Sequence, residues 1–187
     1  MNAMNEQSPD LPHLRLPVGT LAALHAVLRD DRGAEGAASL ARKVGFQTGE
    51  AFLAALEDFV HSGHGADLRS LAADAFWASV TEFFARSGWG PLRAERLHAG
   101  ILSLASPSWA EAEGRQSEQP SCHLTTGLLA DLLSRVAGSD LAVMEVECRS
   151  CGDDACLFLI GSPEALQEVF EGLRAGDDYR AVMARLS

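Results

Sequence analysis

Residues 140–161 read DLAVMEVECRSCGDDACLFLIG. The runs 140–148 and 155–161 carry the short apolar pattern of strands, and the Cys-Gly-Asp-Asp between them is turn chemistry. The stretch predicts a hairpin and therefore antiparallel pairing. Immediately upstream, Leu124, Leu128, Leu132 and Val136 recur at helical spacing. That helix starts near Pro120-Ser121, with Ser121 or a residue slightly later as its cap, and stops at Gly138. Downstream, Ser162-Pro163-Glu164 combines a capping serine, a first-turn proline and a carboxylate at the positive end of the dipole. Leu166, Val169, Phe170 and Leu173 form the apolar face of the helix that follows, and a short last helix is expected over about 178–186.

Further toward the N-terminus, residues 92–97 and 100–105 alternate apolar and polar residues about a break at Gly100, a second pair of strands. Residues 106–120 are rich in Ser, Glu, Gln and Pro, with Trp109 as their one large apolar residue. Three helices are expected before that. The first begins at Val18 and ends at Asp30-Asp31-Arg32-Gly33. The second runs over about 34–61. The third runs over about 66–86, with Leu68, Leu71, Ala75, Phe76, Val80 and Phe83 inward, and Trp77 and Phe84 widening that face. In the second helix Ala41, Gly45 and Gly49 share one face. They predict either close approach of a neighbouring backbone or ligand, or a break near Gly45.

Strands and helices do not alternate regularly, which argues against a doubly wound parallel sheet and for an α+β fold, an antiparallel sheet packed with helices. A chain of 187 residues is long enough for one cored domain. We expect a loose tail over 1–12 and a single domain over 13–187. A formal net charge of −11 speaks against nucleic acid and anionic membranes as partners. The start MNAMNEQSPDLPH has neither the basic nor the apolar segment of a signal peptide. The expected compartment is a reducing cytoplasm, where clustered cysteines bind metals or react rather than form disulfides.

All four cysteines lie between 122 and 156. From chemistry alone, two tetrahedral sets are available: Cys122, Cys148, Cys151 and Cys156, or the same set with Glu145 in place of Cys151. The all-thiolate set would also suit an iron–sulfur cluster. Cys122 at a helix start would have its thiolate favoured by the helix dipole. His123 could support a ligand from outside the metal shell. His61 and His64, three apart at a helix end, lack accompanying ligands. No phosphate-cradling glycine loop, nucleotide fingerprint or catalytic triad is legible.

The segment CHLTTGLLADLL (122–133), followed by EVEC (145–148) and GDDACLF (152–158), resembles the 4-vinyl reductase (4VR) domain. Its specific motif covers 122–158. That family includes a bacteriochlorophyll-synthesis protein, predicted hydrocarbon-binding proteins and the sensor domains of aromatic-responsive regulators. The resemblance implies the ligand-binding fold shared with nitric-oxide signalling and Golgi-transport proteins. It also implies a structural zinc held by Cys122, Glu145, Cys148 and Cys156, with Cys151 outside the pattern. A strand places Glu145 and Cys148 on opposite faces, so a bulge or strand end must lie between them if both bind. Trp109 resembles the family's pocket-lining aromatics. The function implied is binding or sensing of a small hydrophobic or aromatic molecule by a homodimer that signals through a partner protein. A tetrapyrrole-related reductase or its accessory protein, and a protein-assembly module, are the alternatives.

Overall fold

The computed structural model describes residues 16–17 and 19–186. The tail expected over 1–12 and Val18 at the head of the first helix lie outside them. Helix α1 (Gly19–His64) leaves helical geometry at one residue, Gly33, with φ 70° and ψ 175°. Only glycine adopts that conformation without strain, so the expected stop at 30–33 is a kink between two helical runs. The second run passes through Gly45 unbroken. Helix α2 (Ala73–Arg86) starts later than expected, because Asp67 accepts from Arg69 N–H and tightens Leu68–Ser70 into a separate 3₁₀ turn. Leu71 and Ala72 are then extended.

Strands β1 (Arg93–His98), β2 (Ile101–Ser106), β3 (Ala142–Glu147) and β4 (Cys156–Gly161) form one antiparallel sheet in the order β1-β2-β4-β3. Helix α3 (His123–Ala137) joins the two hairpins, and α4 (Pro163–Arg174) and α5 (Tyr179–Met183) follow. Ser162 caps α4 by accepting from Ala165 N–H. The period-two alternation divides the sheet between two apolar clusters. Leu102, Leu104, Phe158 and Ile160 face α1, α2 and α3, whereas Ile101 and Leu159 face α4 and α5. β2 and β4 are central and almost wholly buried, while edge strand β1 exposes Arg93, Glu95 and Arg96, charges that discourage further strand pairing.

α1 packs most extensively on α3. A Cβ at Gly45 would stand 1.9 Å from Leu124 O, and one at Gly127 would stand 2.0 Å from Arg42 O. The two helices therefore touch backbone to backbone at a reciprocal pair of glycines. The face of Ala41, Gly45 and Gly49 answers to a neighbouring helix, and this contact fixes where α3 begins.

Candidate metal centre and ligand cleft

The hairpin β3–β4 departs from regular pairing at one place. Glu145 pairs with Phe158 and Glu147 with Leu157, so Val146 is an extra residue, a β-bulge. The bulge, with the strand ending at Glu147, resolves the geometric objection that the sequence raises. It lets Glu145 and Cys148 reach the same point in front of α3. Asp153 Oδ2 accepts from Cys148 N–H at 2.7 Å and braces the turn.

The ligand atoms of Cys122, Glu145, Cys148 and Cys156 all lie within 4.8 Å of one another. Cys122 Sγ is 3.8 Å from Cys148 Sγ and 3.9 Å from Cys156 Sγ. Tetrahedral zinc with Zn–S of about 2.3 Å separates its sulfurs by about 3.8 Å, so the thiols stand at ligand spacing. The three cysteines are fully buried. Glu145 Oε2 accepts from Cys122 N–H at 2.7 Å, while Oε1 is buried with no hydrogen-bond partner. A buried orphan acceptor costs about 1–3 kcal/mol, and a cation among the three sulfurs would satisfy it. The group could therefore hold a metal ion. Cys151, half-buried on the 3₁₀ turn Arg149–Cys151, is outside it.

Burial first, and then the neighbouring Cys148 thiolate, push the Glu145 carboxyl up to about 8. The Cys148 thiol is pushed far down, first by its contact with Cys122, and that same contact pushes Cys122 up. Negative charge thus concentrates on Cys148 at the mouth of the turn. His123 turns away from the cluster toward α1, with Nδ1 3.4 Å from Arg42 Nη1. Burial, then the Arg42 charge, lowers its pKa to about 4.

A second carboxylate holds α3 from the other side. Glu111 is fully buried and accepts from Leu124 N–H at 3.0 Å, Thr125 N–H at 2.8 Å and Thr125 Oγ1–H at 2.5 Å. It caps the positive end of α3 in place of Ser121, whose hydroxyl pairs with Ser150, and of the N-cap residue Cys122, whose side chain makes no capping bond. His25 Nε2 stands 2.9 Å from Glu111 Oε1 without the alignment of a hydrogen bond. Sequence reasoning missed both residues: a glutamate in a polar insertion and a histidine on a surface-like helix carry no mark of burial. Trp109, just before the 3₁₀ turn Ala110–Ala112 that carries Glu111, is completely buried. Its Nε1–H donates to Thr125 Oγ1 at 2.7 Å, and its ring lies 5.6 Å from Phe84, 5.6 Å from Trp89 and 6.0 Å from Phe158.

A cleft of about 290 Å³ opens at the opposite ends of α3 and β4. Phe76 and Trp77 of α2, Leu133 and Val136 of α3, and Leu102 and Ile160 of the sheet form its apolar walls. Arg96, His98 and the turn at Ala99 and Gly100 form its rim. Trp109 lies outside this lining. His61 is exposed on the last turns of α1, and among the described residues neither it nor His25 belongs to a metal-ligating group.

Residues 108–162 match the vinyl-4-reductase (4VR) domain. The match contains Glu111, α3, all four cysteines and both strands of the second hairpin, and it agrees with the resemblance carried by the cysteine segment. An uncharacterized protein of Methanocaldococcus jannaschii is 26% identical over 84 residues, which is 45% of each chain. The chain thus matches less than half the length of that relative. The phenol-responsive sensory domain of the transcription activator PoxR, solved with phenol, superposes with a TM-score of 0.65 at 20% identity, over 86% of this chain and 82% of that one. A vinyl-4-reductase family protein of M. jannaschii gives 0.52 at 17% identity, over 80% and 83%. A trafficking protein particle complex subunit 3 from Naegleria fowleri, covalently bound to palmitic acid, gives 0.54 at 12% identity, over 77% and 91%. The expected α+β fold, shared with transport-complex proteins, is the fold observed. No helix among the described residues is long and apolar enough to cross a membrane.

Proposed function

We propose that the chain is a ligand-binding module that takes a small apolar or aromatic molecule into the cleft between α2, α3 and the sheet. The observation that carries this reading is the cleft itself, walled by two aromatic rings and aliphatic side chains, the usual make-up of a small-molecule site. The fold shared with a phenol-responsive domain supports it by analogy. Cys122, Glu145, Cys148 and Cys156 would hold a structural zinc, whose four protein ligands leave no open position for catalysis. Trp109 serves the ligand indirectly, by tying Thr125 and the start of α3 to the aromatic core. Four free cysteines suit a reducing cytoplasm.

A homodimer signalling through a partner protein completes the proposal. Val27 is 64% and Phe46 51% exposed, and Leu24, Leu40 and Val44 add to the apolar surface of α1. Such a surface marks protein contact. Trp77 supplies the test of ligand binding. Phenol, 2-naphthol or naphthalene should quench its emission saturably in the wild type, and replacing Trp77 by Phe should remove that component. No response to any of the three would refute the cleft as the binding site.

A further inference from the structure

We infer that the preferred occupant of the cleft is an apolar carboxylate, an aromatic or short aliphatic acid, rather than a neutral phenol or hydrocarbon. The inference rests on the cleft being the ligand site and adds the charge of the ligand. Fourteen residues line the cleft; among them no acid occurs, and the ionisable ones are Arg96 and His98. Their placement is set by the sheet. Arg96 pairs with Leu102 across β1 and β2, and directly opposite residues share a face, so the guanidinium stands over the apolar wall that Leu102 helps to build. His98 follows the register shift after Arg96 and stands at the turn, with Gly100 N–H directed at its Nδ1 from 3.4 Å. That leaves Nε2 as the polar atom available to a guest. The neighbouring acid Glu95 alternates to the opposite face, where it lines a different cleft with Arg93 and Tyr179.

In a chain of net charge −11, an apolar cleft with a purely cationic rim is selective chemistry. The fork of an arginine matches a carboxylate in a bidentate arrangement. A neutral hydroxyl can accept only one of its hydrogen bonds and gains nothing from its charge. The volume of about 290 Å³ lies at the small end for ligand sites, which fits one or two rings or a short acyl chain with its head at Arg96.

The test is calorimetric titration of the full chain with matched pairs: benzoate and benzyl alcohol, 2-naphthoate and 2-naphthol, octanoate and octanol. Within each pair that binds, the acid should bind roughly 10-fold more tightly, the scale of one charge-assisted hydrogen bond. Arg96→Gln should erase that margin while leaving the neutral member unchanged. Arg93→Gln, on the opposite face, should leave both members unchanged. Arg96 is exposed, so the variant should fold, which its melting curve verifies. Neutral members binding as tightly as their acids would overturn the carboxylate preference and leave the cleft standing. Failure of every acid and every neutral partner would overturn both.

Discussion

Adding one methyl group at Gly127 should destabilise the protein, although alanine is the better helix former. The methyl would sit 2.0 Å from Arg42 O and 2.8 Å from Phe46 N. Both neighbours are backbone atoms of α1, so no side chain can rotate away. The gap falls short of van der Waals separation, about 3.5 Å, by about 1.5 Å, and the helices must part by roughly that distance. Overpacking of this kind costs about 1–3 kcal/mol, and rigid backbone on both sides puts it at the upper end. The helix-propensity gain of alanine offsets about 1 kcal/mol. A net loss of about 2 kcal/mol corresponds to a melting point lower by about 4–8 °C for a chain of this size.

Gly63 supplies the control. It lies near the end of α1, with nothing within 4 Å of its would-be Cβ. Gly63→Ala should raise the melting point by about 1–3 °C, from propensity alone. Differential scanning calorimetry of the two variants should therefore show shifts of opposite sign. Equal stabilisation by both would refute the backbone contact between α1 and α3. Because α3 carries Cys122 at its start, Gly127→Ala should also weaken zinc retention against a chelator.

The remaining predictions concern the four-residue cluster and its surroundings. Metal analysis should find about one zinc per chain by the four-ligand count, and fully folded metal-free protein would exclude the site. Cys156→Ser should lower zinc content and melting temperature together, whereas Cys151→Ser should retain the full zinc content; loss of zinc in the latter would assign Cys151 as the fourth ligand. Glu111→Gln leaves amide hydrogens facing the Leu124 and Thr125 N–H groups, and should cost about 1–3 kcal/mol in chemical denaturation. Trp109→Phe removes the donor to Thr125 and should cost about 1 kcal/mol, with zinc content unchanged.

The elements were largely legible because their signals are local. The hairpin of 140–161, the stripe from Leu124 to Val136 and the Ser162-Pro163 start lie within a few residues of their expected places. The gathering of Cys122, Glu145, Cys148 and Cys156 was legible through the cysteine pattern, and the need for an irregularity between Glu145 and Cys148 followed from strand geometry. What the sequence could not show arises from pairings between distant segments. Gly45 could equally have ended a helix, and only the approach of Gly127 decides that it packs one. Glu111 looks solvated until α3 places two N–H groups and a hydroxyl on it. Phe76, Trp77 and Arg96 become one cleft only when β1 and α2 are set against the end of α3.

That arrangement also relates the metal centre to the cleft. α3 begins at the Cys122 ligand and ends at Leu133, Val136 and Ala137 of the cleft wall, about 22 Å along a 15-residue helix. β4 runs the same way, from Cys156 to Ile160 and Gly161. The two elements thus form a pair of jaws whose near ends meet at the cysteines and whose far ends enclose the ligand. Zinc there would tie the near ends together and fix the angle at which the far ends stand apart, with no contact to the ligand at all. A ligand wedged between Leu133 and Ile160 would press on that angle. By linkage, any change in zinc affinity on ligand binding must be matched by an equal change in ligand affinity on zinc binding. Titrating 2-naphthoate into zinc-loaded and zinc-stripped protein measures this coupling directly. If the jaws are the connection, stripping zinc should weaken the acid at least 5-fold while the stripped chain stays helical by circular dichroism. Equal affinities in the two folded forms would separate the metal from the cleft and leave it as a fastening for the hairpin alone.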